Sequence, residues 1–113
     1  AHDQPQGHHW LHEELGLTEE EAAAVDVFEP DYRRERSELL KDFHKRMGEL
    51  KDILADQDSY SADVDVAIHR IHEVHGQLQE LSITHYYDML SVLPPEKQDR
   101  LRQLAVQALS QPE

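Results

Sequence analysis

Apolar residues recur along most of this chain at intervals of three and four, the mark of one buried stripe on a helix. Leu40, Phe43, Met47, Leu50 and Leu54 step by 3, 4, 3 and 4. Val64, Ile68, Ile71, His75, Leu78, Ser82, His85 and Met89 step by 4, 3, 4, 3, 4, 3 and 4. The first seam predicts a helix from Tyr32 to about Leu54, the second a helix from about Ala62 to Ser91. Between them, residues 55–61 (ADQDSYS) are polar turn chemistry, with Ser61 placed to cap the second helix. Two long helices joined by so short a turn pack as an antiparallel hairpin. Sustained alternation is absent, as are Asn-Gly and Asp-Gly turns, so the expected fold is all-α.

Shorter helices flank the hairpin. Residues 1–7 (AHDQPQG) read as a disordered lead, and residues 8–113 as a single helical domain. His8 to Leu15 makes two turns that Gly16 stops. Thr18 with Glu21 has capping-box spacing, and Glu19, Glu20 and Glu21 sit at the positive end of the following helix. Pro30 predicts a break at residues 27–30 and a fresh start whose first turn holds the proline. Leu93-Pro94-Pro95 ends the second long helix. A last helix from Pro95 places Leu101, Leu104, Ala105 and Ala108 on one face. A hairpin this long leaves apolar seam to cover, so a homodimer is expected.

Composition narrows the chemistry. The chain has 113 residues, 24 acids, 11 Lys plus Arg and nine histidines, for a formal net charge of −13. Such a chain is a poor partner for nucleic acid, where bound counterions must be displaced by Lys and Arg. With its many imidazoles it suits divalent cations instead. Cysteine is absent, which excludes disulfides and thiolate sites. No apolar run approaches the roughly 20 residues that span a bilayer. Residues 1–31 hold nine acids and no Lys or Arg. Trp10, Leu11, Leu15 and Leu17 are interleaved with that acidic block, so part of it is expected to dock.

Three motifs carry metal chemistry. His8 and His12 lie one helical turn apart, where two imidazoles can share an ion. His85 and Met89 repeat that spacing on the seam, where a buried imidazole needs a partner for each nitrogen. Glu29 stands beside the Pro30 break. Taken singly, each has an ordinary explanation: solvated histidines, a core methionine, a surface glutamate. His69, His72 and His75, spaced by three, with His44 on the other long helix, read as surface histidines or a loose divalent site. No nucleophile motif, glycine-rich phosphate loop or HExxH points to an enzyme.

Together these residues resemble the periplasmic cobalt–nickel resistance sensors of the CnrX type. The likeness runs from His8 to about Leu109 and is free of gaps from His8 through Met89. It rests on His8-x-x-Leu11-His12-Glu13, Leu17, Glu21, Glu29, Arg33-Arg34, Tyr60-Ser61-Ala62-Asp63-Val64, His85-x-x-Asp88-Met89 and Leu93-x-Pro95-Glu96. The resemblance implies a ligand set of His8, His12, Glu29, His85 and Met89. Three imidazoles, a carboxylate and a thioether give up to six donor atoms, which suits Ni(II) or Co(II) better than tetrahedral Zn(II), with zinc a further possible ion. It also implies a dimer in the periplasm, tethered to the inner membrane by a segment preceding this chain. Such a sensor works with a membrane-bound anti-sigma factor to induce metal-resistance genes. Pro30 after Glu29 departs from the family pattern, as do the histidines at 44, 69, 72 and 75.

Two other readings remain open on sequence. Leu17-Thr18-x-x-Glu21 and Leu93-Pro94-Pro95-Glu96-x-Gln98 resemble the turns of periplasmic chaperones and stress adaptors of the Spy, CpxP and ZraP kind, also helical hairpins. A histidine-rich metal buffer is the other.

Overall fold

The structure, a computed structural model, describes the backbone of residues 7–110 and the side chains of residues 9–110. Apart from Gly7, the lead expected over residues 1–7 lies outside the described residues. The described chain forms α1 (Gly7–Leu15), α2 (Glu19–Asp26), α3 (Glu29–Asp56), α4 (Ala62–Leu90) and α5 (Pro95–Ser110). No strand occurs among these residues, so the fold is all-α as expected. The chain divides into two compact units. One combines the chain up to Pro30 with the chain from His85 onward; the other is Asp31–Thr84.

The terminal unit is built by its caps. Gly16 takes a left-handed φ of 64°, which lets the chain leave α1. Leu17 N–H then donates to His12 O and Gly16 N–H to Glu13 O, the paired bonds of a Schellman cap. Two residues on, Thr18 opens α2 with the full capping box. Glu21 N–H donates to Thr18 Oγ1 at 3.1 Å and Thr18 N–H to Glu21 Oε1 at 2.9 Å. α2 stops at Asp26, Phe28 N–H donates to Val25 O, and α3 restarts at Glu29 with Pro30 in its first turn. A proline costs little there because that N–H has no helical acceptor. Pro94 O accepts from Lys97 and Gln98 N–H to open α5.

These turns gather Leu15, Val25, Met89, Leu93 and Leu101 into one buried core, with Leu11, Leu17, Tyr86, Leu90 and Leu104 packed against it. Ala108, expected on the same face of α5, is exposed. Polar ties reinforce the packing. Lys97 Nζ donates to Gly16 O at 2.7 Å and to Glu21 Oε1 at 2.6 Å, and Arg100 pairs with Glu14. The Lys97 ammonium, followed by the Thr18 N–H, holds the Glu21 carboxyl below its ordinary value.

In the other unit α3 and α4 form the hairpin, capped by Ser61 Oγ, which accepts from Val64 N–H. Val64, Ala67 and Val74 are buried, whereas α3 has no fully buried residue. The seam differs from the expected one at three places. His75 and Ser82 are exposed, and their apolar predecessors Val74 and Leu81 turn inward instead. Desolvating an imidazole or a hydroxyl without a partner is costly, and a helix of 3.6 residues per turn drifts off a strict heptad. Leu54 is 56% exposed, with Ile53 half-buried beside it. A groove between the helices has Leu39 and Leu81 for its apolar residues and Glu35, Glu38, Asp42 and Glu80 around them.

Candidate metal centre

Four of the five expected ligands have described side chains, and all four belong to the terminal unit. His8 lies on α1, but its side chain is outside the described residues. His12 occupies the last turn of α1, where a helix C-terminus favours positive charge. Glu29 begins α3. His85 and Met89 lie one turn apart near the end of α4.

The structure brings Glu29 and His85 together. Glu29 Oε1 stands 3.8 Å from His85 Nε2, and both atoms are buried. At that separation they make no hydrogen bond to each other. An ion that holds nitrogen and oxygen donors at about 2.0–2.2 Å can bridge two atoms so spaced. Met89, one turn along the same face of α4 as His85, is buried in the core beside Leu15 and Val25. An anionic oxygen, an imidazole nitrogen and a soft thioether thus come from one small buried region. This donor chemistry fits a divalent transition metal.

His12 is engaged elsewhere. Its Nε2 lies 2.9 Å from Asp26 Oδ1, across the turn that joins α1 to α2. Sequence reasoning missed Asp26. The available signal was its place three residues before Glu29, obscured because the helix breaks between them. Among the described residues, no three His or carboxylate side chains form a ready-made cluster.

His9 pairs with Glu13 on the exposed face of α1, and four further histidines lie in the other unit. His44 and His75 both meet the Phe43 ring, at centroid distances of 5.9 and 6.4 Å. His69 bonds through Nδ1 to the Asp65 carbonyl at 2.8 Å, and its ring is 6.1 Å from that of His72. These four side chains are exposed.

Comparison with known proteins follows the same line. The profile of a family described as "heavy-metal resistance" matches residues 1–108. A curated relative, the nickel and cobalt resistance protein CnrR of Cupriavidus metallidurans, is 26% identical over 102 residues, covering 90% of this chain and 69% of that protein.

Proposed function

The chain belongs to the heavy-metal resistance family, and we propose that it is a sensor of Ni(II) or Co(II) that signals to a membrane-bound anti-sigma factor from the periplasm. His8, His12, Glu29, His85 and Met89 are the ligands in this reading. The observation that carries it is the buried approach of Glu29 Oε1 to His85 Nε2 at 3.8 Å, one helical turn from Met89. The name of the relative in Cupriavidus metallidurans supports nickel and cobalt as the ions.

The physics of the signal follows from where the ligands sit. His8 and His12 belong to α1 and Glu29 to the start of α3, whereas His85 and Met89 are on α4. An ion held by all of them ties α1 and the α2–α3 junction to the end of α4. If it binds only that arrangement, it stabilises it by about 2.7 kcal/mol at 100 times its dissociation constant. Ligation requires neutral imidazole, so binding weakens on acidification. The anti-sigma factor reads the tied state.

A homodimer accompanies this proposal. α3 has no fully buried residue, and Leu54, Val66 and Ile83 are exposed on the hairpin unit, leaving apolar surface for a second copy.

Amide hydrogen exchange with and without Ni(II) tests the sensing step. The proposal expects added protection over residues 8–29 on binding. Protection that rises equally along the whole chain, or only around His69 and His72, contradicts it and favours a metal buffer.

A further inference from the structure

We infer that Asp26 is a positioning residue for the metal centre: it holds His12 as the Nε2–H tautomer and so reserves His12 Nδ1 for the ion. The inference rests on the ligand set of the proposed function and adds a residue and an atom assignment to it.

The contact is short and specific. His12 Nε2 and Asp26 Oδ1 are 2.9 Å apart, within ordinary hydrogen-bond length, and the His12 side chain is 21% exposed. An ionised carboxylate only accepts hydrogen bonds, so the imidazole must donate at Nε2. A neutral imidazole carries one N–H. With that hydrogen on Nε2, the lone pair able to ligate an ion is on Nδ1. Carboxylate, imidazole and metal then form the arrangement in which an outer carboxylate orients the ring and raises its basicity.

Asp26 is also poorly explained by its own helix. It is the last residue of α2, and no basic residue shares that turn. An acid at a helix C-terminus faces the negative end of the macrodipole, an unfavourable placement. A locally unfavourable charge is retained where it does something else. Here the Schellman cap at Gly16 and the capping box at Thr18 reverse the chain, so that the far end of α2 returns beside the last turn of α1. Two caps within the thirteen residues between His12 and Asp26 thus make this contact possible.

The test uses the full chain labelled with 15N in its histidine rings. Long-range 1H–15N correlation is recorded on the metal-free protein and on the Zn(II)-loaded protein, with His12→Ala to assign the ring. In the metal-free protein at a pH where His12 is neutral, its proton is expected on Nε2. On loading, the coordination shift is expected at His12 Nδ1 while Nε2 keeps its proton. In parallel, Asp26→Asn is expected to weaken Ni(II) binding by about 10–100-fold, the range for loss of such an outer partner. Asp26→Glu is expected to recover part of that loss. A coordination shift at His12 Nε2, or Ni(II) affinity within twofold of wild type in Asp26→Asn, overturns the role of Asp26 and leaves the site itself standing. If His85 and His12 both fail to respond to metal, the ligand set falls and this inference falls with it.

Discussion

Glu29 Oε1 and His85 Nε2 face each other at 3.8 Å with both atoms buried. One is an anionic donor and the other a neutral one when its lone pair is free. Glu29→Gln keeps the shape of the side chain and removes the anion. Ni(II) affinity is expected to fall by at least about 100-fold, the upper end of what loss of an outer-shell partner costs. Isothermal titration at neutral pH reads the change directly.

Met89 has two separable roles, because it is buried in the core and stands one turn from His85. Met89→Leu conserves volume and is expected to cost under about 1.5 kcal/mol in denaturant unfolding. Met89→Ala opens a cavity and is expected to cost about 2–5 kcal/mol. Both remove the thioether. Each is therefore expected to narrow the preference for Ni(II) and Co(II) over Zn(II), whatever its effect on stability.

Val25 and Val27 give a control two residues apart, at 0% and 71% exposure. Val25→Ala is expected to destabilise by about 2 kcal/mol, from roughly 0.8 kcal/mol per buried methylene plus the cavity left behind. Val27→Ala is expected to fall within about 0.5 kcal/mol of wild type. Urea unfolding curves of the metal-free protein decide it.

Gly16→Ala tests the turn that brings α2 back beside α1. Space is not limiting, since nothing lies within 4 Å of an added Cβ. The left-handed backbone at φ 64° is limiting, and alanine there is expected to cost about 1–2 kcal/mol.

Lys97 gives a pH prediction with a definite sign. Its bond to Glu21 holds that carboxyl below its ordinary value. A carboxyl lowered on folding contributes stability that is present above its unfolded value. That contribution is lost as the pH falls through the lowered folded value. Wild-type stability is therefore expected to decline below the ordinary glutamate range. Lys97→Met is expected to lose stability at neutral pH and to show a shallower decline on acidification, as read from thermal unfolding across the acid range.

Much of this architecture was legible in the sequence because it is written in local rules. Gly16, the Thr18–Glu21 box, Pro30, Ser61 and the Pro94-Pro95 pair each act within one turn of themselves, and each marks the boundary it predicts. The hairpin seam was legible less exactly. A strict heptad assigned His75 and Ser82 inward, whereas Val74 and Leu81 turn inward in their place; His85, assigned inward by the same seam, is buried facing Glu29. The approach of Glu29 to His85 was open to recognition only by resemblance, since they stand 56 positions apart in the chain. The Asp26–His12 bond depends on how two caps turn the backbone, and spacing offered only the place of Asp26 three residues before Glu29.

The most direct test of the central claim is titration of the intact chain and of His85→Ala with Ni(II), followed by the visible spectrum of the Co(II)-loaded protein. The account predicts one tightly bound ion per chain, weak Co(II) absorption typical of high coordination, and loss of that tight site in His85→Ala. Unchanged affinity in His85→Ala would contradict it.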